Sequence, residues 1–304
     1  MHALLDRPNC LFKPLLVLAC LLVDASLSPL AHPRGQGFNS LPSIADLKAR
    51  AESGDSAASQ YLVNFLLQAD AQAPGYDIAL AWVPSAASRN DPSAQFLLGY
   101  FYQYGRGVTR DYAKAAESYE RAVLQGYPMA QNYLAILYRH GYGVQKDPVK
   151  AFRLFLAAAR QGLAVAEWNL GHVYFEGTGI PRDFSQAARW FRAAAEHGDP
   201  FAQHDLGALY LQGLGVATDY VEGARWERLA AQQGDFDAET DLAYLYETGK
   251  GVPLNYVAAY AWYSRAAAAG QDLASRRRKS LSHLMTPKQL AEANHFFDTG
   301  TIGE

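Results

Sequence analysis

Residues 92–127 read PSAQFLLGYFYQYGRGVTRDYAKAAESYERAVLQGY, and residues 128–163 read PMAQNYLAILYRHGYGVQKDPVKAFRLFLAAARQGL. The second stretch restates the first, and three more copies follow without insertion at 164–199, 200–235 and 236–271. The first glycine of the internal turn falls at Gly105, Gly141, Gly177, Gly213 and Gly249, a constant spacing of 36 residues. A fixed period of this size marks a chain built by stacking one supersecondary unit, each copy burying its apolar face on its neighbours.

The unit encodes two antiparallel helices. Ala94, Leu98, Phe101 and Tyr102 follow the i, i+4, i+7, i+8 rhythm of a helix face. Asp91-Pro92 and Asp199-Pro200 supply an N-cap followed by proline at the first helical position, where the missing N–H costs nothing. The helix then runs into Gly105-Arg-Gly107 and its counterparts, glycines suited to the left-handed conformation that closes a last turn. Asp111, Asp147, Asp183, Asp219 and Asn255 fit the N-cap of the second helix. That helix carries paired alanines, such as Ala115 with Ala122 and Ala259 with Ala266, beside Tyr119, Phe155, Phe191 and Tyr263. It ends at Gly126, Gly162, Gly198, Gly234 or Gly270.

The pattern A-x-x-x-L-[GA]-x-x-Y-x-x-G-x-G-V, then Asp, then Ala and A-A-x-x-G, resembles the Sel1-like repeat, a relative of the tetratricopeptide repeat. Five copies from Pro92 to Gln271 carry the resemblance. It implies an all-α chain, a right-handed α-solenoid of about six helix-turn-helix repeats with helical caps, serving as a protein-interaction scaffold.

Net charge is −3 over 304 residues, with 50% hydrophobic and 19% charged residues. This is a globular balance without the basic excess of a nucleic-acid binder. The first 25 residues read as an export leader: Arg7 and Lys13 precede the apolar run at 15–23, and Ala25 supplies a small residue at the cleavage site. That run is shorter than the ~20 residues a spanning helix needs, so no membrane span is expected and the localisation is periplasmic or secreted. Cys20 offers a lipid anchor as the alternative, since VLAC at 17–20 resembles a lipobox. Leu18 fits that box poorly and the apolar run continues past the cysteine, which disfavours it. Cys10 and Cys20 are the only cysteines, so the exported chain would carry no disulfide, thiol nucleophile or cysteine ligand. This departs from the cysteine-rich secreted branch of the Sel1-like family.

A polar linker at 26–42 follows the leader, then a cap helix and a degenerate repeat at 43–91. There Ala58, Leu62 and Tyr76 each precede Ala94, Leu98 and Tyr112 by the repeat period, while Ala69 and Ala71 replace the turn glycines. Terminal repeats are expected to be atypical because one face meets solvent. Beyond the five repeats at 92–271, residues 272–304 read as C-terminal capping helices, with Thr286-Pro-Lys-Gln289 a capping box. Arg276-Arg-Arg-Lys279, the one dense basic run, reads as a solvated helix face.

Comparison between repeats separates scaffold from surface. Leu98, Leu134, Leu170, Leu206 and Leu242 recur and so serve folding. The positions of Phe96, Tyr100 and Gln103 vary while sharing one helix face. Their equivalents include Asn132, Ile136 and Arg139, then Trp168, His172 and Phe175, then His204, and finally Tyr244 and Glu247. In stacked helix pairs the first helices line the concave side, so these residues are the candidate partner-binding groove, with aromatics and arginine as its anchors.

No catalytic, cofactor or metal site is expected. His140, His172, His197 and His204 form no H-E-x-x-H or other close ligand pair. The G-x-G turns follow helices rather than strands and recur as punctuation, and neither S-x-x-K nor G-x-S-x-G occurs. The partner expected is another protein. Small exported Sel1-like proteins include immunity proteins that neutralise phospholipase effectors of type VI secretion, and a cysteine-free chain of little beyond repeats is similar to those. The alternatives are a periplasmic scaffold or adaptor of an envelope or signalling complex, or, from another class, a weak β-lactam or peptidoglycan hydrolase.

Overall fold

The computed structural model describes residues 43–69 and 72–299. The expected leader and linker, and Ala71, lie outside the described residues. Within them the chain is an all-α solenoid of fifteen helices without a strand. Helices α1 (Ile44–Glu52), α2 (Ser56–Gln68) and α3 (Tyr76–Ser88) precede the regular repeats. The repeats contribute α4 (Pro92–Tyr104) with α5 (Tyr112–Val123), α6 (Pro128–His140) with α7 (Pro148–Ala159), and α8 (Ala164–Glu176) with α9 (Phe184–Glu196). Then come α10 (Pro200–Gln212) with α11 (Tyr220–Gln232) and α12 (Phe236–Thr248) with α13 (Tyr256–Ala268). Helices α14 (Asp272–Ser282) and α15 (Pro287–Thr299) close the fold. The helices fall into two compact units, the first running to Glu167 and including Thr178–Ile180, the second comprising Trp168–Gly177 and the residues from Pro181 onward.

Local chemistry sets most of the boundaries within the repeats. The carboxylate of Asp111 accepts from the amides of Ala113 and Lys114, and that of Asp219 from Val221 and Glu222. Asp147, Asp183 and Asn255 cap their helices in the same way. Each satisfies amide groups that the first helical turn leaves without partners. At the C-terminal ends of the first helices, Gly105, Gly141, Gly213 and Gly249 take the left-handed conformation. Thr286 and Gln289 form the reciprocal capping box at the start of α15.

From the second regular repeat onward, the second glycine of the turn does more than turn the chain. A methyl group on Gly143 would meet Tyr112 carbonyl carbon at 2.3 Å, and one on Gly251 would meet Tyr220 carbonyl oxygen at 2.0 Å. Each of these glycines is therefore the point where a repeat presses on the start of the preceding repeat's second helix. Only a residue without a Cβ permits that approach.

Between helices the core is aromatic and alanine-rich. Tyr119 and Phe155 are fully buried in the first unit, as are Phe191 and Tyr263 in the second, each contributing on the order of 1.5–3 kcal/mol by burial. Of the recurring leucines, Leu134, Leu170, Leu206 and Leu242 are buried, but Leu98 is only half-buried and its neighbour Leu97 takes the core position. A polar ladder runs beside the core. Gln125 donates to Gln95 at 2.9 Å and Gln161 to Gln131 at 2.8 Å in the first unit, and Gln233 to Gln203 at 2.8 Å in the second.

Candidate functional site

The structure divides the twelve candidate groove residues. In the first unit Phe96, Tyr100, Gln103 and Asn132 are buried, while Ile136 and Arg139 are half-buried. The Phe96 ring lies 5.8 Å from that of Tyr119 and 5.3 Å from that of Tyr133 on the next first helix. Gln103 accepts a hydrogen bond from the Tyr119 hydroxyl at 2.8 Å. These side chains are core, which corrects the expectation that they line an open groove. The reason is geometric: a first helix packs against both its own partner and the following first helix. Its buried face is therefore wider than one stripe.

In the second unit Trp168, His172 and Phe175 are half-buried. Trp168 Nε1 donates to Asp205 Oδ2 at 2.7 Å, and His172 Nε2 lies 2.9 Å from the same oxygen. Phe175 packs edge-on against Phe184. His204 is buried, and its Nδ1 lies 2.8 Å from Glu227 Oε2. Only Tyr244 of the candidate set is exposed, while Glu247 is half-buried.

Glu227 was not among the candidates, although one signal pointed to it. It occupies the repeat position filled elsewhere by Tyr119, Phe155, Phe191 and Tyr263. The ring of Tyr119 rests on Gly99 and that of Phe191 on Gly171, and the Glu227 carboxylate rests on Gly207 in the same manner. Its side chain is fully buried, and Oε1 has no hydrogen-bond partner. Burial pushes the Glu227 carboxyl up to about 8, with His204 pulling it the other way. For His204, burial works against the ring's charge, but Glu227 and then Asp241 and Asp235 outweigh it and hold the pKa at about 10.

Tyr244 belongs to a different arrangement. Lys250 Nζ lies 5.5 Å from its ring centroid and Arg277 Cζ 5.8 Å. Lys250 also stands 5.7 Å from the ring of Tyr220, itself 41% exposed. Arg277, from the basic run, pairs with Glu247 at 3.5 Å, and Glu247 accepts from the Tyr263 hydroxyl at 2.7 Å. Helices α11, α12 and α14, with the turn after α12 that carries Lys250, thus bring two exposed tyrosines and two cations onto one surface. Such groups suit an apolar or acidic protein surface, since tyrosine and arginine dominate binding energy where they become desolvated. Among the described residues no helix is long and apolar enough to cross a membrane.

Capped helix pairs in register, glycine contacts between copies and no strand among the described residues define a helical-repeat scaffold. The Sel1 repeat model matches residues 92–127, 128–163, 164–199, 200–235 and 236–271, and the chain belongs to the Sel1 repeat family. Repeats of this family mediate protein–protein interaction. Among solved structures, the chain is similar to a protective antigen with a Sel1-like repeat fold from uropathogenic Escherichia coli, at 33% identity and TM-score 0.71. That match covers 83% of this chain, which spans only 55% of the antigen's length. A Sel1 repeat protein from Oxalobacter formigenes matches at 28% identity and TM-score 0.61, over 87% of this chain and 99% of its own. An immunity protein from Pseudomonas aeruginosa stands further off, at 20% identity and TM-score 0.48, with 77% and 85% covered. No curated protein matches the chain.

Proposed function

We propose that the chain is an exported, non-catalytic binding protein that holds another protein on the surface formed by Tyr220, Tyr244, Lys250 and Arg277. The observation that carries this reading is Tyr244: it is 37% exposed on a helix of the repeat scaffold and flanked by two cations. An exposed aromatic held in place by charged neighbours gains contact area on binding with little ordering cost. Export is supported by the leader-like residues 1–25, which suit a periplasmic or secreted protein. Within this reading, the partner is a periplasm-acting phospholipase toxin of type VI secretion. The chain would neutralise it by covering the mouth of its active site. That choice draws its support from the likeness of a cysteine-free exported chain of repeats to immunity proteins of this kind. A resident envelope complex is the second reading, served by the same surface.

Affinity capture from periplasmic extract, with the wild-type chain beside Tyr244→Ala/Arg277→Glu, tests the proposal. A secreted lipase retained by the wild type and lost from the double variant supports the immunity reading. A resident complex lost in the same way replaces it with a scaffold. Retention that is equal for both chains refutes the surface. Turnover of nitrocefin by the purified chain, abolished by a single substitution, would refute the non-catalytic reading.

A further inference from the structure

We propose that His204, Glu227 and Asp241 form a binding site for one divalent transition-metal ion of the zinc class, tying the fourth repeat to the fifth. The residues come from α10, α11 and α12, and one ligand atom of each lies within 4.8 Å of the others. An imidazole nitrogen with two carboxylate oxygens is a donor set suited to zinc and its neighbours, and two carboxylates balance the ion's charge. Metal–ligand bonds of about 2.0–2.2 Å place tetrahedral ligand atoms about 3.4 Å apart. The 2.8 Å separation of His204 Nδ1 and Glu227 Oε2 would open by about 0.6 Å to admit the ion.

Two further observations point to a ligand. Glu227 is fully buried, and its Oε1, which lies against Gly207, has no hydrogen-bond partner, a costly state that a cation held by both carboxylate oxygens would relieve. It also displaces the aromatic residue that fills this position in the other four repeats. A buried His–Glu pair serving structure alone gains little over a well-packed apolar side chain. A metal site explains why this one repeat gives up its ring. The same loss of the ring was readable in the sequence; the triad was not, because His204 and Glu227 stand 23 residues apart.

The test is titration of ZnCl2 into the full-length chain, stripped of metal and of any affinity tag, by calorimetry and thermal melting. The expected result is one equivalent bound and a melting temperature raised by about 5 °C at a hundredfold excess over Kd. Glu227→Phe restores the repeat's ring against Gly207, so it should fold and bind zinc at least a hundredfold more weakly. Asp241→Asn, at a half-buried position, should weaken binding likewise and serves if Glu227→Phe does not fold. Wild-type melting that ignores zinc, or zinc binding unchanged in the folded variants, overturns the proposal.

Discussion

Replacing Gly251 by alanine should cost far more than replacing Gly234, and the difference measures the contact between repeats. Both glycines are left-handed, with φ of 70° and 85°. Alanine pays about 1–2 kcal/mol for that conformation at either position. At Gly234 the new methyl group meets nothing within 4 Å, so the cost ends there. At Gly251 it would lie 2.0 Å from Tyr220 carbonyl oxygen and 2.3 Å from the carbonyl carbon. Backbone cannot rotate away as a side chain tip can, so the start of α11 must move by roughly 1 Å, adding about 1–3 kcal/mol of overpacking. Gly234→Ala is therefore expected near 1–2 kcal/mol and Gly251→Ala near 2–5 kcal/mol. Urea denaturation read by circular dichroism gives both values. Hydrogen exchange at the amides of Val221 and Glu222 should quicken for Gly251→Ala alone, because their bonds to Asp219 depend on that first turn. Equal costs within about 0.5 kcal/mol, inside the usual scatter of surface substitutions, would refute the idea that this glycine carries the stacking.

Leu170→Ala truncates a side chain with no exposed surface and should destabilise by about 2–5 kcal/mol in the same assay. Asp55 caps α2, accepting from the amides of Ala57 and Ala58 and pairing with Arg50 at 2.7 Å. The Ala58 amide and then the Arg50 guanidinium hold its carboxyl below the ordinary 3.8. A depressed folded pKa means that the cap's stabilisation is present above 3.8 and lost as pH falls through the lower value. The Ala58 amide resonance should titrate with a midpoint below 3.8; a midpoint above it contradicts the assignment.

The period, the turn glycines and the Asp or Asn caps were legible because each is a local rule repeated five times. The groove was less so. Phe96, Tyr100 and Gln103 lie on a helix face that looks free when only the partner helix is considered, yet Tyr133 of the next repeat closes over it. Variation between repeats proved a mixed signal: at Tyr244 it marks exposure, while at His204 and Asn132 it marks exchange of one buried side chain for another. Arg277 read as a solvated charge, and the fold turns it toward Glu247 and Tyr244. Asp205, Glu227 and Asp241 became significant only when three helices brought them beside histidines, since sequence periodicity describes one helix at a time.

The central claim is that Tyr244 and its cations bind a protein rather than support the fold. The direct measurement is the Kd of the captured partner for the wild-type chain and for Tyr244→Ala/Arg277→Glu, taken beside the melting temperature of each. Loss of a hot-spot aromatic with reversal of a neighbouring charge should weaken binding by at least about thirtyfold, corresponding to 2 kcal/mol or more, with melting unchanged. Unaltered affinity, or affinity and melting that fall together, would contradict the account.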